Sequence, residues 1–364
     1  MHGAKELGSH ASKTDRYWFE AATRSQAMHT AHRTPLESVL LEQLGPRSWS
    51  TLERALVRPD LGSDALRGDF GQSEVALGLA LVLFDDLCER VPLAWAYTRE
   101  CAESGEPVQF DHGAMRTVAL PTGGLPAGRA SVARILEPLG YRHSATYPLD
   151  GIRMTGFVYT HEQHPSELPQ YFVSELEPTK FSAEFQDKAT ELLATSVDPL
   201  SEWARAQLAL LERGERIERA DLVRLLPNLA ASFARHHREP TLEEYETFAR
   251  ESAEMAWIAT EGHSFNHITD RVPNVGDVAD EQRHLGRPIK PEIEVSRSGR
   301  VRQTALRAAE VERLFDTEDG FVTRRVPGSF LEFISRDTDE TGALDLGFDA
   351  QNAQGIFKMT DGAR

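Results

Sequence analysis

The sequence predicts an α+β fold: two βαβββ modules that together form one curved sheet, with a helical N-terminal region and a helical insertion. Three observations predict it. The stretches Phe110-Asp111-His112-Gly113-Ala114-Met115-Arg116 and Phe265-Asn266-His267-Ile268-Thr269-Asp270-Arg271 share the pattern Phe-x-His-x-x-x-Arg, with Asp or Asn just before the His. Each copy is followed at similar distance by a Glu in an apolar run, Glu175 at 63 residues after His112 and Glu332 at 65 after His267, which reads as an internal duplication. Between the copies the apolar residues recur every three or four positions instead of alternating.

Taken in order, residues 1–105 form the helical N-terminal region. Thr34-Pro35 signals a helix start and Gly45 a stop, around the amphipathic run Ser38–Leu44. His29 and His32 read as surface or capping histidines rather than a metal pair. Two more helices are expected, one from Gly71 to Val91 and one from Pro92 to about Ser104.

Residues 106–180 form the first module. Strands are expected over Pro107–Leu120, Tyr141–Tyr147, Ile152–Thr160 and Leu168–Glu177, with a helix over Ala130–Leu139 closed by Gly140. Residues 181–262 form the helical insertion, in which Phe185, Leu192, Leu211, Leu225 and Phe233 follow helical spacing. The Thr241-Leu242-Glu243-Glu244 capping box starts a last long helix to Ala259. Trp203 and Trp257 read as core residues. Residues 263–364 repeat the module more loosely: a helix over Val275–Leu285, then strands over Glu292–Ser296, Val301–Arg307, Phe321–Val326 and Ser329–Ser335, and a C-terminal helical tail.

The composition narrows the function. A formal charge of −17 argues against nucleic acid or an anionic membrane as partner. The longest apolar run, Val75–Phe84, is far below the ~20 residues a membrane span needs. Only Cys88 and Cys101 are present, which excludes a disulfide framework and fits a reducing cytoplasm.

The repeated motif carries the chemistry. On a strand, His and Arg four apart point to the same face. Two strand histidines and one strand carboxylate are the ligand set of an open iron(II) site, with positions left for substrate and dioxygen. His112, His267 and Glu332 are therefore the candidate metal ligands, with Arg116 and Arg271 as candidate clamps for a substrate carboxylate. His263 competes with His267 but lacks the shared motif, and Glu175 is an alternative fourth ligand.

From residue 80 onward the chain resembles the 2-oxoadipate dioxygenase/decarboxylase (hydroxyglutarate synthase) family of the vicinal-oxygen-chelate superfamily. The resemblance rests on Phe110–Thr117, Phe172–Leu176, Phe265–Thr269, Gly328–Phe333, Gly347–Asp349 and Ile356-Phe357. It implies Fe(II) held by His112, His267 and Glu332, and a substrate carboxylate met by Arg116. The implied reaction takes 2-oxoadipate and O2 to 2-hydroxyglutarate and CO2, a step of lysine breakdown. Longer members place a further substrate-binding Arg in a C-terminal extension; here Arg271, Arg302, Arg307, Arg324 and Arg325 are the candidates for that role. A metal-dependent isomerase or hydrolase of the same superfamily, and a non-catalytic ligand-binding module, are the competing readings.

Overall fold

The computed structural model describes residues 33–62 and 67–360, so His29 and His32 lie outside the described residues. Thr34 caps helix α1 (Pro35–Ala55) in a reciprocal pair with Glu37. The expected stop at Gly45 is a kink, not an end. Gly45 adopts φ 75°, open to a residue without Cβ, and Pro46 restarts the helix. Helices α2 (Gln72–Arg90) and α3 (Pro92–Ser104) follow, α2 being buried on nearly every side.

The first copy of the motif lies on β1 (Phe110–Val118), followed by α4 (Ala130–Leu136), β2 (Tyr141–Leu149), β3 (Met154–His161) and β4 (Gln170–Leu176). Helices α5 (Ala183–Leu193), α6 (Glu202–Glu212), α7 (Arg219–Ala230), α8 (Leu242–Glu251) and α9 (Ala253–Glu261) intervene. The long helix expected from Thr241 is broken at Ser252. Its extended backbone ends α8, and its hydroxyl accepts from Met255 N–H to start α9.

The second copy lies on β5 (Phe265–Arg271), then α10 (Val275–His284), β6 (Glu294–Val295) and β7 (Val301–Ala305). The expected strand Phe321–Val326 is not part of the main sheet. It belongs to a separate hairpin of β8 (Glu310–Thr317) and β9 (Gly320–Pro327), whose two-residue turn Glu318-Asp319 is followed by Gly320 at φ 121°, a conformation that favours glycine. Strand β10 (Phe330–Arg336) and the C-terminal helix α11 (Ala350–Phe357) complete the chain.

Eight strands form one curled sheet in the order β2-β3-β4-β1-β5-β10-β7-β6. Its two halves mirror each other: β1 is parallel to β4 and β5 to β10, and β1 and β5 meet antiparallel at the centre. One face carries Phe110, Met115, Val173, Phe265, Ile268 and Phe333 into the main core with the helices before β1 and part of the insertion. On the other face Ala114, Val118, Met154, Phe172 and Leu176 pack against Phe181, Phe185, Phe248 and α9. Helix α11 touches both edge strands, β2 and β6, and so spans the open side of the curl.

The central pairing is irregular in an informative way. It steps from Phe110↔Asp270 straight to His112↔Thr269, and from Ala114↔His267 straight to Met115↔Phe265. Asp111 and Asn266, the residue just before each His, are thus the extra residues of two β-bulges. A bulge re-aims side chains locally. Here each bulge sends the Phe of the motif into the core and the His two residues later to the opposite face.

Candidate metal centre

His112, His267 and Glu332 come from β1, β5 and β10, three neighbouring strands, and all are buried. One ligand atom from each lies within 4.8 Å of the other two. Glu332 Oε2 is 3.2 Å from His112 Nε2 and 3.4 Å from His267 Nε2. Ligands about 2.0–2.3 Å from one ion, at adjacent positions, stand roughly 3–3.5 Å from each other. The spacing therefore fits a shared ion, and two imidazoles with one carboxylate suit iron(II) without closing its coordination sphere.

The surrounding groups prepare this set. Asp111 Oδ2 accepts from His112 Nδ1 at 2.8 Å, which leaves Nε2 to point at the cluster. Asp111 is in turn gripped by Arg336, whose Nε and Nη2 donate to its carboxylate at 2.9–3.2 Å. Burial would raise the Asp111 carboxyl, but Arg336, the His112 hydrogen bond and Arg271 hold it well below the usual carboxylate range. Thr269, between His267 and Arg271 on β5, donates its hydroxyl to Glu332 Oε2 and lies 3.1 Å from His112 Nε2.

The two histidines differ in proton affinity. Burial drives His267 down to about 3, with His112 and Arg116 adding to the effect against Glu332. Burial also opposes charge on His112, but Asp111 on one side and Glu332 on the other raise it overall. His267 thus offers a neutral ring. A metal at Nε2 of His112 would compete with a proton there.

Arg116 shares the face of His112, as the strand period predicts, and is fully buried. Its Nη2 donates to Thr360 Oγ1 at 2.8 Å and its guanidinium lies 4.8 Å over the Trp257 ring. Trp257 is buried as expected of a core residue, and it also seats Arg116. Arg271 sits at the opposite end of the cluster, 3.7 Å from Asp111 and donating to Ser166 O.

The alternatives fall elsewhere. Glu175 accepts from the Arg129 N–H at the start of α4 and pairs with Thr117, whose side chain faces away from His112. His263 precedes β5 and faces His236, 5.9 Å away ring to ring, around a small cavity also lined by His237.

Sequence reasoning gave no site role of their own to Thr269, Arg336, Phe348 or Thr360, although Thr269 and Phe348 lie in stretches that carry the resemblance. Thr269 was detectable, because it falls midway between His267 and Arg271 at the same strand parity. Phe348 packs edge-on against His112 at 4.9 Å and against Phe172 at 5.1 Å. Its place, like that of Thr360, depends on a C-terminal path that periodicity does not specify.

Fold and cluster together define a vicinal-oxygen-chelate-like half-barrel with a candidate mononuclear metal centre. A protein assigned to the glyoxalase superfamily from Ralstonia eutropha JMP134 is 45% identical, aligned over 88% of this chain and 99% of its own, with a TM-score of 0.84. The chain belongs to the 2-oxoadipate dioxygenase/decarboxylase family, which it matches over residues 93–344. Two more distant structures share the fold. The hydroxyglutarate synthase of Oryza sativa, in complex with 2-oxoadipate, is 20% identical over 80% of this chain and 93% of its own, at a TM-score of 0.61. That of Pseudomonas putida is 17% identical over 81% and 75%, at 0.56. No curated protein sequence matches the chain.

Proposed function

We propose that this protein is an iron(II)-dependent dioxygenase and decarboxylase of a 2-oxo acid, converting 2-oxoadipate and O2 to 2-hydroxyglutarate and CO2. The supporting observation is the buried His112–His267–Glu332 cluster, at the spacing of shared ligands, in a chain of this family. The reaction balances. CO2 carries off one carbon; one oxygen atom enters the carboxylate that remains and the other the new hydroxyl.

His112, His267 and Glu332 would hold the ion. The chemistry iron(II) supplies at such a site is chelation of the 2-oxo acid and activation of dioxygen. Around it the chain's own groups bind and orient. Asp111 fixes the His112 tautomer, and Arg116 offers a planar fork to a substrate carboxylate. Arg271, already engaged by Asp111 and Ser166, is the second candidate clamp. Tyr147, Phe172 and Phe348 make an aromatic wall that keeps water from the His112 side.

The test is oxygen uptake and CO2 release by protein loaded with Fe(II) under anaerobic conditions, offered a panel of 2-oxo acids. Uptake with 2-oxoadipate, equal to the 2-hydroxyglutarate formed, supports the proposal. Turnover of a substrate without oxygen uptake would favour an isomerase or hydrolase and overturn it.

A further inference from the structure

Arg336 ties the candidate metal centre to the C-terminal segment. Its side chain is wholly buried. Two of its nitrogens serve Asp111, while Nη1 donates to two carbonyls of the chain beyond β10, Asp345 O at 2.9 Å and Gly347 O at 2.7 Å. The next residue, Phe348, places its ring 5.0 Å from the Arg336 guanidinium and edge-on to His112. Phe348 N–H donates to Tyr147 OH on the edge strand β2. A closed circuit results: Arg336 to Asp111, Asp111 to His112, His112 to Phe348, and Phe348 back to Arg336.

We infer that Arg336 is a positioning residue that couples the seating of residues 345–348 to the orientation of His112. This rests on the reading of His112, His267 and Glu332 as metal ligands. The physical reason is donor geometry. A guanidinium presents donors in a fixed plane, so one side can hold a carboxylate while the other holds two carbonyls. Lysine could keep the charge beside Asp111 but could not reach both partners at once. When residues 345–348 seat, Arg336 is fixed, Asp111 is fixed with it, and His112 presents Nε2 to the ion. If they lift, Asp111 and His112 lose a common anchor. Conversely, an ion on His112 favours the seated segment, because coupling between two sites is reciprocal.

The experiment uses the full chain, cobalt(II) as the probe metal, and two readouts: affinity by titration of the cobalt absorption bands, and the rate of proteolysis at the exposed turn Asp339–Gly342. Arg336→Lys should bind cobalt(II) about ten- to a hundredfold more weakly, the usual cost of losing an outer support of a ligand. In the wild type, cobalt should slow cleavage of the turn several-fold, and in Arg336→Lys this protection should vanish. A core variant far from the site, such as Leu52→Ala, controls for lost stability and should keep both affinity and protection. Wild-type affinity together with intact protection in Arg336→Lys would overturn the inference while leaving the metal reading standing. Wild-type protein that binds no cobalt, or binds it as well after His267→Ala, would overturn both. Should Arg336→Lys not fold, Phe348→Leu takes its place, since it breaks the circuit without touching Asp111. A several-fold loss of affinity and protection supports the coupling, and unchanged values overturn it.

Discussion

Thr269 stands between His112 and Glu332 and hydrogen-bonds within reach of both, 3.1 Å from His112 Nε2 and donating to Glu332 Oε2. The two candidate ligands lie on β1 and β10, with β5 between them, and Thr269 is the residue of β5 paired with both, His112 on one side and Glu332 on the other. The three side chains therefore form a row across the sheet. In that row Glu332 stays a carboxylate. Burial would raise its pKa, but His267, His112 and the Thr269 hydroxyl lower it overall.

Glu332→Gln should abolish tight metal binding, reducing cobalt(II) affinity by more than about a hundredfold, beyond the cost of changing an outer support. The amide keeps the size and the acceptor for Thr269, so the fold should persist. Calorimetric titration gives the answer. Unchanged stoichiometry and affinity would remove Glu332 from the ligand set.

Gly113→Ala should unsettle the centre through packing. A Cβ at Gly113 would lie 2.5 Å from the Phe265 ring, far inside contact distance, and both partners sit at the β1–β5 seam next to the bulges. Overpacking of this kind costs about 1–3 kcal/mol. Phe265→Leu in the same chain should recover part of the loss, measured by denaturant unfolding. Additive losses in the double variant would contradict the steric account.

The sequence made these strands readable because the motif repeats and alternates. Phe-x-His-x-x-x-Arg gave both central strands, and the Glu spacing led to β10 and Glu332. Two features were not readable. The bulges at Asp111 and Asn266 change which face a residue occupies, and no periodicity announces a single extra residue. Arg336 closes β10 and Phe348 lies in irregular chain after it, and contacts rather than local patterns bring both to the site. Of the hairpin β8–β9 only the second strand was readable, as Phe321–Val326; both strands face solvent and lack a clean apolar alternation.

His237 and His263 make stability depend on pH on the acid side. Burial drives both down to about 3, with neighbouring histidines and arginines adding to it. In the unfolded chain each titrates near ~6.5. Between these values the unfolded state binds more protons, so the contribution is full above pH ~6.5 and is lost as pH falls toward 3. Asp270 works in the opposite sense. Burial raises it to about 7, so its contribution is present at low pH and is lost as pH rises through 7. Each histidine should add about 1.4 kcal/mol per pH unit to the slope inside its window. His263→Gln should flatten that slope in urea titrations run from pH 7 to pH 4. A slope as steep as that of the wild type would mean that His263 charges freely in the folded chain.

Arg116 should matter to substrate more than to metal. It shares the face of His112 on β1, lies close enough to lower the proton affinity of His267, and is carried by the Trp257 ring with one nitrogen on Thr360. A buried guanidinium in that place can form a two-pronged bond with a carboxylate already held near the cluster. Removing one partner of such a charged pair costs roughly 2–5 kcal/mol. Arg116→Ala should therefore lower kcat/KM for the 2-oxo acid by a factor on the order of 30 to several thousand, with cobalt(II) affinity within a few-fold of wild type. Arg116→Lys should restore only part, because an ammonium keeps the charge but not the fork. Trp257→Leu offers a separate check: it leaves the guanidinium in place but removes its platform, so KM should rise while the ion stays bound. A structural role for Arg116 predicts another pattern, in which melting temperature and metal content fall together with turnover. Full activity in Arg116→Ala would leave the carboxylate without its clamp and would turn attention to Arg271.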